Sequence, residues 1–192
     1  MVRFEDGSSM RLYRQTVEDF GLFPGKELTE QELESLRTAA GEMSAKMRAV
    51  RIISASGVSK KDLEQRLIHK GENPEQAKNA VQWLTDMDLL DDEKTAQQVV
   101  AQCIRKGYGL NRAKQALYEK RIPREYWTAA LEDYPEQLDA IVDFLKSRLG
   151  TDRDIKAVRK ATDALIRRGH SYSQIRKGLE LLNLDNELPE EF

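Results

Sequence analysis

The sequence carries one cysteine, Cys103, and two histidines, His69 and His170, in 192 residues. A lone thiol excludes an intrachain disulfide and a cysteine-rich metal site. Cys103 sits among Val99, Val100 and Ile104, the setting of a small buried hydrophobe and not of a reactive thiol. No apolar run approaches the ~18 residues of a membrane span. The opening MVRFEDGSS lacks the apolar stretch of a secretory signal. A cytoplasmic protein with no membrane partner is therefore expected. Excess charge of one sign is also missing: 31 Lys and Arg face 33 Asp and Glu, a net charge of −2. Bulk electrostatics thus does not mark a nucleic-acid binder, and any basic surface must be local.

Catalytic and metal-binding constellations are absent from the pattern as well. Asp91-Asp92-Glu93 reads as the acidic start of a helix, favourable at the positive end of its dipole, and its spacing does not fit an EF-hand loop. Gly107-Tyr108-Gly109 is no phosphate loop, because no strand precedes it and no Lys-Ser/Thr pair follows. His69 and His170 both fall at expected helix C-termini, where a protonated ring suits the dipole. No catalytic residue, cofactor or metal is expected, and the chain does not read as an enzyme.

What is present is helix. Hydrophobic residues make up 40% and charged residues 33%, enough to bury a core beneath solvated helical faces. Val2, Phe4, Met10 and Leu12 alternate around Asp6-Gly7, a hairpin signal. Gln15 to Phe20 suggests a short helix. Thr29 with Glu32 forms a capping box, and the following helix carries Leu33, Leu36, Met43, Met47, Val50 and Ile53, with Gly41 as a candidate interruption. Ser59 with Asp62, and Asn73-Pro74 with Gln76, start two more helices. Beyond Asp92 the apolar spacing gives helices ending near Gly107, Lys120, Tyr134, Gly150 and Gly169. Thr151 with Asp154 caps the helix whose inward side is read as Ile155, Val158, Leu165 and Ile166. Ser171 with Gln174 caps the last one.

Buried positions recur at fixed offsets. Leu67, Ala77, Ala80, Val81 and Leu84 become Leu117, Trp127, Ala130, Leu131 and Tyr134 fifty residues on, then Leu165, Ile175, Gly178, Leu179 and Leu182 after a further 48. Lys70, Lys120 and Arg168 recur before the turns. The expected fold is mainly α: an elongated stack of three tandem three-helix repeats behind a small N-terminal segment with a hairpin signal. The expected segments are a leader at 1–42, repeats at 43–90, 91–134 and 135–184, and an acidic tail at 185–192. A unit this small buries too little surface alone, so neighbours must stack.

Charge is segregated along the chain. From Ala101 to Leu131 there are seven basic residues, Arg105, Lys106, Arg112, Lys114, Lys120, Arg121 and Arg124, against two acidic ones. From Arg153 to Gly178 there are eight, Arg153, Lys156, Arg159, Lys160, Arg167, Arg168, Arg176 and Lys177, again against two. The 132–143 stretch between them holds five acidic residues and no basic one. Lys156, Lys160 and Arg167 fall on one outer helical stripe, interrupted by Asp163. A solvated outer face accounts for any one stripe; stripes merging across stacked repeats form a surface suited to a phosphate backbone or an acidic protein groove. Trp83 and Trp127 fit core packing better than base stacking.

Ser59-x-x-Asp62-Leu63-x-x-x-Leu67-x-x-Lys70-Gly71, followed by a helix and Leu89-Leu90-Asp91-Asp92-Glu93-x-x-Ala96, resembles the RecX family of bacterial recombinase regulators. Lys106-Gly107-Tyr108-Gly109 with Leu117-x-x-Lys120 extends the likeness, which covers residues 47–182. Two positions depart from the family pattern: Thr95 replaces a frequent aromatic, and Arg121 replaces a frequent glycine. The resemblance implies a protein that lies in the groove of the RecA filament on DNA and modulates, usually inhibits, its strand exchange, ATP hydrolysis and coprotease activity in DNA repair and the SOS response. It implies no catalysis, and a monomer suits a repeat surface. The alternative is a helical protein that binds single- or double-stranded DNA through its basic surface without RecA.

Overall fold

The computed structural model describes residues 1–150 and 154–184; Thr151, Arg153 and the acidic 185–192 segment lie outside the described residues. The chain divides into two compact units, Met1–Asp91 and Asp92–Phe192. No helix among the described residues is long and apolar enough to cross a membrane.

The first unit opens with a minimal hairpin. β1 (Val2–Arg3) pairs antiparallel with β2 (Ser9–Met10), Val2 opposite Met10. Asp6 sets the turn, its carboxylate accepting from the Ser8 backbone N–H at 2.8 Å and hydroxyl at 2.6 Å. After a short α1 (Arg14–Asp19) comes α2 (Glu30–Ala55), the longest helix described. Its start is the expected capping box: the Thr29 hydroxyl accepts from the Glu32 N–H at 3.2 Å and Glu32 accepts from the Thr29 N–H at 2.8 Å. α3 (Lys60–His69) is capped by Ser59, and α4 (Pro74–Asp86) by Asn73 with proline at its first turn.

Gly41 does not interrupt α2. A helical glycine costs roughly 1 kcal/mol relative to alanine, but a Cβ here would overlap the Gln76 side chain of α4. The missing side chain makes room for α4, and the Gln76 amide donates to the Thr38 carbonyl at 3.4 Å. The helix therefore runs unbroken across residues 42 and 43. Its buried line is Leu36, Ala40, Ala45 and Ala49, with Met43, Met47, Val50 and Ile53 only half-buried beside it. Alanines let α2 lie close to α3 and α4, where Leu63, Leu67, Ala77, Ala80 and Leu84 complete the core. Each fully buried leucine contributes about 1.5–3 kcal/mol.

The second unit holds two helix triplets, each with its own apolar cluster. α5 (Asp92–Arg105), α6 (Leu110–Glu119) and α7 (Trp127–Leu131) surround Ala96, Val100, Leu117, Ile122 and Trp127. A 3₁₀ turn, Arg124–Tyr126, leads into α7. α8 (Leu138–Leu149), α9 (Ile155–Arg167) and α10 (Tyr172–Glu180) surround Ile141, Leu145, Val158, Leu165, Ile175 and Leu179. Gly178 lets α10 approach α8, since a Cβ there would lie 2.6 Å from a methyl of Ile141. Asp154 is the N-cap of α9, its carboxylate accepting from the Ala157 N–H at 2.6 Å.

The three middle helices end alike. The Leu67, Leu117 and Leu165 carbonyls accept from the N–H groups of Glu72, Ile122 and His170 at 3.1, 3.0 and 3.2 Å. The residues between, Gly71, Arg121 and Gly169, all have positive φ, at 90°, 55° and 87°. This is the Schellman stop, repeated at the same 50- and 48-residue offsets as the buried leucines. The fold is mainly α, with three tandem three-helix repeats behind the hairpin.

Candidate functional site

Within the second unit the turn after α5 meets the turn after α9. The Gly109 N–H donates to the Arg168 carbonyl at 2.9 Å and the Asn111 N–H to the Gly169 carbonyl at 3.2 Å. A Cβ on Gly109 would overlap the Gly169 carbonyl, and one on Gly169 would overlap the Arg112 backbone. Backbone thus touches backbone where two glycines face each other. Arg168 seals the joint: it donates to the Lys106 carbonyl at 2.8 Å and stacks over Tyr108 and Phe144, 5.0 and 5.2 Å from the ring centroids. The Tyr134 hydroxyl donates to the Tyr108 carbonyl at 2.6 Å, and burial pushes its pKa up to about 12.

His170 lies inside this joint, 3% exposed, with Nε2 3.1 Å from the Gly107 carbonyl. A carbonyl only accepts, so Nε2 carries the proton, and the buried Nδ1 has no hydrogen-bond partner among the described residues. Desolvation holds the ring's pKa below its usual value, and the Arg168 charge works in the same direction. The expectation of a solvated or dipole-capping histidine is therefore corrected: His170 is a buried donor to the Gly107 carbonyl of the preceding triplet, and burial disfavours its protonated form. His69 is exposed in the last turn of α3, as expected. Cys103 is 6% exposed, and burial raises its thiol pKa, in keeping with a structural thiol.

The joint sorts the candidate basic residues. Arg168 is committed to it. Arg112 is half-buried and donates to Glu119 at 3.0 Å. Arg124 lies over the Trp127 ring, 4.1 Å from its centroid. Arg176 pairs with Glu180 and Lys177 with Glu136, each at 3.3 Å. Lys120 and Arg121 form the stop of α6, and Lys120, Arg121 and Arg159 all have partners within the chain. The side chains of the exposed Arg105, Lys106, Lys114, Lys156, Lys160 and Arg167 carry no hydrogen bond or ion pair among the described residues. Lys156, Lys160 and Arg167 share the outer stripe of α9, away from its buried Val158, Ala161, Thr162 and Leu165.

Ile155 and Ile166, expected to face inward, are 57% and 48% exposed. Eleven residues make close to three helical turns, so the two share an edge of α9, one sector away from the core. Ile166 and Arg167 meet Asn111, Arg112, Gln115 and Glu119 of α6 across an open cleft of ≈ 470 Å³, with Gly169 at its end. Gln115 and Arg112 both donate to the same Glu119 oxygen at 3.0 Å. The polar members of this cleft, Asn111, Gln115 and Glu119, carry no pattern in the sequence. Only the adjacent glycines signal that two segments meet there.

The family model described as RecX, second three-helix domain, matches residues 91–131. The regulatory protein RecX of Xanthomonas axonopodis pv. citri is 30% identical over 138 residues, spanning 70% of this chain and 85% of that protein. Its counterpart from Clostridioides difficile is 26% identical over 193 residues, spanning 94% and 88%. A crystal structure of regulatory protein RecX superposes with a TM-score of 0.66 at 20% identity, covering 94% of this chain and 92% of its own. RecX from Lactobacillus salivarius gives 0.64 at 21% identity, over 76% and 99%. With its three helix triplets, its recurrent stops and a relative of this identity matched over most of its length, the chain belongs to the RecX family of regulatory proteins.

Proposed function

We propose that the protein binds the RecA recombinase filament and lowers its recombinase, ATPase and coprotease activities in DNA repair and the SOS response. Membership of a regulatory family carries this reading, and RecA is the partner that the family resemblance implies. The protein acts as a cytoplasmic monomer built of a leader (1–42), three repeats (43–90, 91–134 and 135–184) and an acidic tail (185–192), and it performs no catalysis. Six exposed cations of the second unit carry no hydrogen bond or ion pair among the described residues, which supports a docking role. Among the candidate basic residues, Lys156, Lys160 and Arg167 are the first choice for contact, with Arg105, Lys106 and Lys114 beside them. Arg112, Arg168, Arg176 and Lys177 are already engaged within the chain.

Co-sedimentation with RecA on single-stranded DNA, with and without nucleotide, tests the reading. The wild type is expected in the filament pellet, and Lys156→Glu/Lys160→Glu/Arg167→Glu is expected in the supernatant with unchanged helix content. Failure of the wild type to pellet with RecA would overturn the assignment. The same six cations, without a partner among the described residues, favour one second reading, direct DNA binding without RecA. That reading requires tight binding to bare DNA that falls steeply with salt as counterions are released.

A further inference from the structure

We infer that the cleft between α6 and the C-terminal end of α9 is a docking groove for an acidic peptide segment anchored by an apolar side chain. This deepens the filament-binding reading by naming the chemistry of the partner's contact, and rests on it for the partner's identity. Three observations converge. First, Ile166 is a large aliphatic side chain left 48% exposed at the mouth of a cleft of ≈ 470 Å³, on a helix whose Val158, Ala161 and Leu165 are buried. Covering such a side chain is favourable in proportion to the area removed from water. Second, the adjacent Arg167 guanidinium is uncompensated among the described residues, and Lys160 and Lys156 continue the same stripe at seven and eleven residues' distance along α9. A carboxylate takes an arginine fork in a bidentate fashion. Third, the opposite wall is fixed. Arg112 and Gln115 both hold Glu119, and the Gly109–Gly169 backbone contact sets the distance between the walls. The groove is thus formed before any partner arrives, which lowers the ordering cost of binding.

Charge complementarity selects the occupant. Asn111 and Arg112 retain N–H donors for carboxylates, since Arg112 uses one guanidinium nitrogen on Glu119 and an arginine has five N–H groups. A nucleic-acid backbone fits the cleft less well, because its sugars and phosphates offer no apolar group to cover Ile166, whereas Glu119 is held by Arg112 and Gln115 and repels either anion alike. An acidic peptide with an aliphatic residue places carboxylates on Arg167 and the α9 lysines and its apolar group on Ile166.

The full chain is titrated by fluorescence anisotropy with fluorescein-labelled LEELEEL, with SEESEES and LQQLQQL as probes lacking the apolar or the charged element, and with an oligothymidylate. LEELEEL is expected to bind in a salt-sensitive manner, at least tenfold more tightly than either altered peptide. Ile166→Asp and Arg167→Glu, both at exposed positions, are each expected to weaken LEELEEL at least tenfold with helix content unchanged. Unchanged binding in both variants overturns the proposal, as does equal binding of LEELEEL, SEESEES and the oligothymidylate, which would mark a surface that reads charge alone. The same variants are then sedimented with RecA filaments. If wild type pellets and both variants pellet equally, the groove is not the contact and the filament reading stands. If LEELEEL binds through Ile166 and Arg167 but wild type does not pellet, the filament reading falls and the groove stands.

Discussion

The turn after α3 and the turn after α9 share one backbone and hold different things. Both follow a buried leucine, both pass through a glycine at φ near 90°, and both close with the same carbonyl-to-N–H bond. The residue after the glycine separates them. In the first unit it is Glu72, buried, accepting from the Ser44 hydroxyl at 3.0 Å and the Arg48 guanidinium at 2.6 Å, so that the turn is tied to its own repeat's first helix. In the second unit it is His170, which donates to the Gly107 carbonyl of the preceding repeat. The middle copy has Ile122, whose side chain joins the core while its carbonyl accepts from the Trp127 indole at 3.0 Å. Backbone geometry is what the repeat conserves internally. One side chain per turn decides whether the turn serves its own triplet or the preceding one.

The largest expected break comes from the glycines themselves. Gly71 has nothing within 4 Å of an added Cβ, whereas Gly169 would drive one into the Arg112 backbone. Gly169→Ala should cost on the order of 3 kcal/mol through overlap and positive φ together, and Gly71→Ala only about 1–2 kcal/mol through φ alone. Urea denaturation followed by circular dichroism checks the ranking; equal costs would mean the two turns are not packed differently.

Glu72→Ala should cost about 2 kcal/mol, since it removes two charge-assisted hydrogen bonds from a buried carboxylate. Hydrogen exchange should show increased opening at the α3–α4 turn.

His170 adds a pH dependence that Glu72 does not share. Its folded pKa is depressed, so the unfolded chain binds the proton more readily. The stability that the neutral ring contributes is present above the unfolded pKa of about 6.5, and is lost progressively as pH falls from there through the folded pKa. Urea midpoints for His170→Gln should fall less between pH 7.5 and 5 than those of the wild type. Identical slopes would exclude His170 as the origin.

The smallest effect is a gain. Arg121 occupies a left-handed position at φ 55°, and Arg121→Gly should stabilise the middle turn by about 0.5–1 kcal/mol, read as a modest rise in the urea midpoint.

Much of this fold was legible in the sequence because its signals are local. Thr29 with Glu32, Ser59, Asn73-Pro74 and Ser171 with Gln174 cap helices where their side chains reach backbone N–H groups two or three residues on, and the structure uses each of them. The Asp6-Gly7 hairpin is likewise decided within a few residues. The buried face of α2 was less legible. Spacing favoured the large Met43, Met47, Val50 and Ile53, but the close approach of α3 and α4 buries Ala45 and Ala49. Gly41 read as an interruption because its reason, the Gln76 side chain, lies 35 residues away.

The candidate surface divides in the same manner. That Lys156, Lys160 and Arg167 share a stripe follows from helical periodicity. Helical spacing also allows Arg176 to reach Glu180 and Arg112 to reach Glu119; that Arg168 and Lys177 are occupied does not follow from it, because their partners, the Lys106 carbonyl and Glu136, stand on other segments. Ile155 and Ile166 fit an apolar pattern equally well facing in or out; the neighbours of α9 settle which edge is covered.

The sequence by itself determined the helices, their stops and the 50- and 48-residue recurrence, since capping and periodicity act over one or two turns of chain. Only the tertiary structure decided that two glycines sixty residues apart meet backbone to backbone, that His170 is buried, and that Ile166 and Arg167 open onto a cleft. Each of these depends on what a distant segment brings to within van der Waals distance, and no local pattern records it.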